Sequence, residues 1–312
     1  MAVPINGPPP ELLDTVTCCD CLGSAGLSRI PNGIVDLIVV DPPYNVSGEA
    51  APIGGIPTKR WRADGGMTRS IIRDFGAWDR GDYDPGYAVP AMARVLRPGG
   101  SLYLFTSEIL YGETRDAAVL AGLDVHVPVV WCKTNPPVSF RKVTWRSGQE
   151  LILWATKPGA RWTLDFGKQT EMLAWQAGPI AGAGKRGNHP TAKPLWLIER
   201  LIYRASREGD LVVDPYAGGG TTGVAARKLG RRFVLFERDE QTAAAARGRL
   251  GGGVAEDDVG DGGLPLFGGK MASTRREEDD DDASGEPEAG GGELRPRWDD
   301  RGGAGEIRDA DG

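Results

Sequence analysis

Leu211-Val212-Val213-Asp214-Pro215-Tyr216-Ala217-Gly218-Gly219-Gly220-Thr221-Thr222 is the stretch that decides the fold. A short apolar run ending in an acid reads as a buried strand. Glycines follow, and then a helical stretch, Gly223 to Leu229. Strand, glycine turn and helix start make a ligand cradle: glycines let the backbone come close to a bound molecule, and a helix N-terminus presents free N–H groups. No lysine follows the glycines, which argues against a P-loop. A second strand, Arg232-Phe233-Val234-Leu235-Phe236, ends at Glu237, 23 residues beyond Asp214. An acid at the tip of the next strand is where a doubly wound sheet holds ribose hydroxyls. The plainer alternative is a strand–helix–strand unit with no ligand.

A second strand-end acid lies far upstream. The run Ile34-Val35-Asp36-Leu37-Ile38-Val39-Val40 closes in Asp41-Pro42-Pro43-Tyr44. Proline fixes φ and removes amide donors, so backbone carbonyls there stay free to accept. Asp41 and those carbonyls can hold an NH2 group, and Tyr44 offers a flat face to a planar ring. Such a rim suits an aromatic amine; taken alone, it is equally a strand followed by a stiff turn.

Together the two motifs resemble the amino-group DNA methyltransferases, which use S-adenosylmethionine. Thr17-Cys18-Cys19-Asp20-Cys21-Leu22 is similar to the family's N-terminal strand and turn, with Cys19 where a glycine is usual. Arg94-Val95-Leu96-Arg97-Pro98-Gly99-Gly100-Ser101-Leu102-Tyr103 is similar to its helix–turn–strand segment, and His189-Pro190-Thr191-Ala192-Lys193-Pro194 to the segment that helps cover the cofactor. Tyr216 and Gly219 depart mildly from the usual loop. The likeness spans about residues 15–250. It implies an α/β, Rossmann-like S-adenosylmethionine-dependent methyltransferase fold with a mostly parallel sheet, helices on both faces and a circularly permuted motif order. The amine motif comes first and the cofactor loop last, which resembles the β arrangement of the family.

The resemblance also implies site residues. Asp41, Pro42, Pro43 and Tyr44 form the amine site. S-adenosyl-L-methionine is expected against Asp20 and Cys21, Asp41, the segment bearing His189, Thr191 and Lys193, the loop residues Asp214, Pro215, Tyr216, Ala217, Gly218, Gly220, Thr221 and Thr222, and the pair Glu237 and Arg238. Asp41 and the Pro42 carbonyl would accept the two N–H bonds of an exocyclic amine, and in-line methyl transfer would need no metal and no covalent enzyme intermediate. The base must be flipped out of the duplex to be reached. An Asp in the first motif position goes more often with adenine N6, and cytosine N4 is the alternative. Two other readings stay open: a catalytically silent DNA-binding homologue, and a methyltransferase for protein glutamine amides, whose motif normally begins with Asn.

Charge divides the chain. Of its 312 residues, 251–312 carry 7 basic and 18 acidic side chains, a net of −11, whereas 1–250 carry 30 basic and 25 acidic, a net of +5. The mildly basic body suits a nucleic-acid partner. The Gly-rich acidic tail lacks the apolar residues to order itself. The expected organisation is therefore a methyltransferase domain over 1–250 and a disordered tail over 251–312. No hydrophobic run reaches membrane-spanning length, so the expected location is cytoplasmic, with no membrane partner. Cys18, Cys19 and Cys21 lack the spacing and histidine partners of a zinc site and read as reduced thiols.

Strands are expected at 15–19, 34–40, 101–106, 126–132, 150–155, 211–214 and 232–236. Helices are expected at 22–30, 86–97, 108–121, 192–207, 221–229 and 239–250. Two segments break the alternation: 45–80, rich in Gly and Arg, and 157–188, which is expected to carry the target-recognition loops. The window Lys133 to Lys168 has seven basic residues interleaved with Phe140, Trp145, Trp154 and Trp162. Arg141, Lys142 and Arg146 are its candidate phosphate contacts, and its aromatics are candidates for stacking on bases or for the core. His126 reads as a core or sheet-edge histidine. Double-stranded DNA is the expected partner. A restriction endonuclease and a second copy of the chain are compatible with the resemblance, and the sequence does not choose between them.

Overall fold

The computed structural model describes residues 7–44, 59–61, 67–69, 83–136, 148–164, 175–178, 180 and 193–252. The chain divides into two units, Met1–Gly268 and Gly269–Gly312, and every described residue belongs to the first. His189, Thr191, Arg141, Lys142, Arg146, Phe140, Trp145 and the tail beyond Gly252 lie outside the described residues.

In chain order the strands are β1 (Thr15–Cys18), β2 (Val35–Val40), β3 (Lys59–Trp61), β4 (Met67–Arg69), β5 (Leu96–Thr106), β6 (Asp124–Val125), β7 (Val129–Lys133), β8 (Gln149–Thr156), β9 (Trp175–Gly178), β10 (Leu211–Asp214) and β11 (Arg232–Glu237). The helices are α1 (Pro85–Val95), α2 (Tyr111–Leu120), α3 (Leu195–Ala205), α4 (Thr221–Lys228) and α5 (Glu240–Gly251). Local chemistry marks their ends. Asp84 caps α1, accepting from Gly86 N at 2.7 Å, with Pro85 at the first helical position. Asp239 caps α5 through Thr242 N at 2.8 Å.

The main sheet runs β1-β11-β10-β2-β5-β8-β7-β9, with β6 beside β8. Only the pairings made by β8 are antiparallel. Two apolar cores cover its faces. Ala88, Val89 and Met92 of α1 and Ala118 of α2 pack with Ile38, Val40, Leu102 and Leu104 on one face. Leu197 and Leu201 of α3, Val224 of α4 and Ala243 of α5 pack with Leu37, Val39, Phe105 and Leu235 on the other. Chain order explains the split: β2–α1–β5 moves one way across the sheet and β10–α4–β11 the other, and crossovers of one hand then place helices on opposite faces. The direction reverses between β10 and β2, so a crevice opens beyond their C-terminal ends.

Several expectations change. Residues 22–30 hold turns and a short 3-10 stretch, Leu27–Arg29, in place of a helix. The chain folds back so tightly that a Cβ on Gly26 would lie 2.2 Å from Cys21 O. Of the strand expected at 126–132 only the part from Val129 forms, within β7, and the short β6 precedes it; Pro128 between them has no N–H to give a ladder. The irregular segment 45–80 contains the antiparallel pair β3–β4.

The segment 157–188 is divided by the sheet. Because β8 runs away from the crevice, 157–164 sit at its opposite end, where Gly99 N donates to Lys157 O at 2.8 Å and Lys157 Nζ donates to Ala93 O at 2.7 Å. The segment then supplies β9, parallel to β7, which returns to the crevice end. There Trp131 Nε1 donates to Gly178 O at 3.2 Å and Ile180 N to Asn135 Oδ1 at 2.6 Å.

Gly26→Ala is expected to destabilise the protein by about 1–3 kcal/mol, the usual cost of forcing atoms into filled space. Gly112→Ala, in α2 with nothing within 4 Å of its added Cβ, should instead stabilise by a few tenths to about 1 kcal/mol. Urea denaturation of the two variants measures both signs.

Candidate active site

A cleft of about 800 Å³ opens at the crevice. That is the size of a small-molecule site. Its walls bring together most of the residues singled out above: Asp20 and Cys21 after β1, Asp41 and Pro43 after β2, Lys193 before α3, Asp214 to Gly218 with Thr221 and Thr222, and Glu237 and Arg238 after β11. Pro42 is buried beside Asp41, Tyr44 reaches Asp41 directly, and Gly220 caps α4 in the left-handed conformation with φ 76°.

Five acids, Asp20, Asp41, Asp214, Glu237 and Asp239, line one cavity. The glycine loop is held by two of them. Asp214 Oδ2 accepts from Thr222 Oγ1 at 2.6 Å and Oδ1 from Tyr216 N at 3.0 Å. Glu237 accepts from Gly218 N at 2.9 Å through one oxygen and from Asp239 N at 2.9 Å through the other. A carboxylate has about four acceptor sites, so Glu237 retains capacity for hydroxyls. Gly218, Gly220 and Gly223 in fact stand at G-x-G-x-x-G spacing. A Cβ on Gly218 would meet nothing within 4 Å, which leaves the backbone open to approach, whereas one on Gly223 would lie 2.7 Å from Leu235 Cδ1. The first glycine serves access and the last serves helix–sheet packing.

The other end of the cleft is a half-buried charge network. Lys193 Nζ lies 2.6 Å from Asp41 Oδ2 and 3.3 Å from Glu150 Oε2. Tyr44 OH lies 2.9 Å from Asp41 Oδ1 and 3.3 Å from Glu150 Oε2. Lys133 Nζ holds the other Glu150 oxygen at 2.6 Å. The Lys193 ammonium also stands 5.1 Å from the Tyr44 ring centre and 5.3 Å from that of Phe105, within cation–π range. One face of the Tyr44 ring is therefore already covered by a cation.

These contacts separate the two carboxylates. Burial pushes Asp41 above its ordinary value, the Lys193 charge pulls against that, and Glu150 adds to the rise. The Asp41 side chain keeps 27% of its surface, so its dehydration is incomplete. Burial pushes Glu150 the same way, but Lys193 and Lys133 outweigh it and hold Glu150 below the usual range. Burial pushes Lys193 down, and Asp41 and Glu150 more than reverse it. Tyr44 is held well above its ordinary value, by burial first and then by both acids, and stays a phenol. Buried ion pairs contribute little net stability; groups perturbed in this way beside a cleft mark a site of chemistry.

Lys193, expected among the cofactor residues with Asp41, lines the cleft and pairs with Asp41. Glu150 and Lys133 were missed. The one available signal was an acid ahead of the apolar run Leu151-Ile152-Leu153, but its position at the cleft depends on β8 being antiparallel. Two members of the basic window are engaged within the fold: Lys133 is tied to Glu150, and Lys157 donates to a backbone carbonyl at the far end of the sheet. Trp154 packs against Tyr103 and His126, with ring centres 6.5 and 4.1 Å apart, and so belongs to the fold. His126 sits between Trp154 and Trp162, 2.8 Å from Thr156 Oγ1, as a sheet-edge histidine. Burial pushes the Cys21 thiol up to about 12, and it stays protonated at neutral pH.

Asp214 has a measurable signature. Burial pushes its carboxyl up to about 7, above an unfolded value of about 3.9. The folded state therefore binds the proton more tightly, so this contribution to stability is complete below about pH 4 and is lost as pH rises through 7. In thermal unfolding of the ligand-free protein, Asp214→Asn should remove this contribution, so that the variant gains stability relative to the parent as pH rises from 4 to 8.

Comparison with known proteins agrees with this architecture. The profile of the N6/N4 methyltransferases, described as DNA methylase, matches residues 35–247. The type II methyltransferase M2.DpnII of Streptococcus pneumoniae is 31% identical over 241 residues, covering 72% of this chain and 85% of that protein. Among solved structures, the M1.HpyAVI–SAM complex has a TM-score of 0.58 at 22% identity, covering 76% of this chain and 98% of that one. The PvuII DNA methyltransferase, which is cytosine-N4-specific, has a TM-score of 0.54 at 16% identity, covering 74% and 84%. Both share the α/β fold described above. With a family match across most of the sheet and the two strand-end motifs facing one cleft, this chain belongs to the N6/N4 family of DNA methylases.

Proposed function

We propose that the protein transfers a methyl group from S-adenosyl-L-methionine to the exocyclic N6 amine of adenine in DNA. The observation that carries this reading is that Asp41, held by Tyr44 and Lys193, shares one cleft with the glycine loop and Glu237. The donor set suits the cofactor: Glu237 for the ribose hydroxyls, the open backbone at Gly218, and an acid-lined cavity for a cationic sulfonium. When bound, S-adenosylmethionine supplies an electrophilic methyl group. The chain supplies the rest. Asp41 accepts a hydrogen bond from the amine, which turns the nitrogen lone pair out of conjugation with the ring, and the Pro42 carbonyl is placed to accept the second N–H. Lys193 opposes the effect of burial on Asp41 and favours its ionised form. Tyr44 fixes the carboxylate plane and lines the base pocket.

Adenine is favoured by Asp in the first motif position. Cytosine N4 is the second reading, since a cytosine-N4-specific enzyme shares the fold. Mass spectrometry of nucleosides from treated DNA separates the two, and methylcytosine as the sole product would overturn the first. Asp41→Ala should lower methyl transfer by at least a hundredfold with cofactor affinity nearly unchanged, and Glu237→Ala should weaken cofactor binding about tenfold or more, read by calorimetry.

Target recognition belongs, in this reading, to segments that leave the sheet at the crevice end. These are 45–82 after Tyr44, 137–147 between β7 and β8, and 179–192 after β9. Residues 157–164, by contrast, follow the end of β8 that lies away from the cleft. Type II relatives suggest a restriction–modification setting. The acidic tail is proposed to be dispensable for chemistry. Replacing Arg141, Lys142 and Arg146 with Gln should weaken binding to all DNA sequences alike and lower its salt dependence. An unchanged salt slope in fluorescence anisotropy would place the phosphate contacts elsewhere.

A further inference from the structure

We propose that Glu150 is a positioning residue for methyl transfer: from the antiparallel strand β8 it divides the Lys193 ammonium with Asp41 and takes the far side of the Tyr44 hydroxyl, setting the charge that the target amine meets. This inference rests on the function proposed above and deepens it.

The geometry is specific. Glu150 meets both partners of Asp41: its Oε2 lies 3.3 Å from Lys193 Nζ and 3.3 Å from Tyr44 OH, while Asp41 lies 2.6 and 2.9 Å from the same atoms. Lys133 on β7 fixes Oε1 at 2.6 Å, so the Glu150 carboxylate is held at both ends. The three side chains Glu150, Lys133 and Lys193 are 18%, 12% and 10% exposed. Two anions and two cations alternate as Asp41–Lys193–Glu150–Lys133. A lone Lys193–Asp41 pair would concentrate the ammonium charge on Asp41 and make its carboxylate a weaker acceptor for an amine. Sharing the ammonium with Glu150 weakens that hold, and the fixed Glu150 charge raises the proton affinity of Asp41.

That difference matters at one step. After methylation the nitrogen carries a surplus proton; an N–H bond breaks and an O–H bond forms on Asp41, which later releases the proton to water. A base whose proton affinity is raised by burial, with the Glu150 charge adding to the rise, suits this task, and a second carboxylate kept ionised beside it separates the roles. The charged and titratable groups facing Asp41 are Lys193 ahead of α3, Glu150 on β8, Tyr44 after β2 and Asp214 at the end of β10. Removing the Glu150 charge leaves Lys193 wholly to Asp41 and Lys133 unpaired, and both effects lower the Asp41 pKa.

The experiment is single-turnover methyl transfer as a function of pH for Glu150→Gln and for the double variant Lys133→Met/Glu150→Gln, which removes the buried pair together. Asp41→Ala is measured beside them. Both Glu150 variants are expected to methylate roughly tenfold to a hundredfold more slowly, the size of a misplaced reacting group. Cofactor affinity should stay within about twofold, because Glu150 lies outside the cofactor contacts. The acid limb of the profile should move to lower pH. Wild-type rate and profile in Glu150→Gln would overturn the proposal. So would a slower rate with an unmoved acid limb, or a large loss of melting temperature in both variants, since each makes Glu150 a scaffold residue. Methylation retained by Asp41→Ala would instead overturn the parent reading of the site.

Discussion

Two parallel strands pair briefly and then part, and the functional architecture depends on that parting. β10 and β2 are joined through Val212–Leu37 and Val213–Ile38. Beyond these pairs the chain leaves in opposite directions, because the crossovers that follow put α4 on one face and α1 on the other. Asp214 and Asp41 stand just past the shared register, at the two sides of one opening. Hydrogen-bonded neighbours at that depth would have closed the sheet. The reversal of strand order leaves the space instead, and both motifs turn into it.

Concentrating acids in that space has an electrostatic cost that the structure meets in two ways. At the glycine-loop end it uses neutral donors: Thr222 and the Tyr216 amide serve Asp214, and the Gly218 and Asp239 amides serve Glu237. These hold the loop in a shape with an open backbone but leave Asp214 easily protonated. At the amine end the structure uses full charges, Lys193 and Lys133, and keeps Glu150 ionised. The first arrangement suits a site that receives a cation. The second suits a site that must present an ionised acceptor to a neutral amine.

The segments bordering the cleft follow from the direction of the strands. Every parallel strand delivers its following segment to the crevice end, whereas β8 delivers its own to the opposite end. Lys157 is thereby fastened under α1 through Ala93 O, and Trp154 is packed with Tyr103 and His126. Lys157 and Trp154, close in sequence to the candidate phosphate contacts, are thereby committed to the fold.

The sequence by itself determined the parts whose chemistry is local. The apolar runs ending in Asp214, Asp41 and Glu237 and the Gly218–Gly220 turn each announce their structure within a few residues. Strand spacing and chain order were then enough for a doubly wound sheet with its crevice at the strand tips. The helix expected at 22–30 failed because a close backbone approach at Gly26 overrides local propensity. Only the tertiary structure decided what stands opposite Asp41. Lys193 is 152 residues away and Tyr44 meets Glu150 across 106 residues. Whether an acid at the start of β8 faces the cleft or the far end depends on the direction in which that strand enters the sheet. Pairing direction is a property of the assembled sheet, and no pattern within the strand records it.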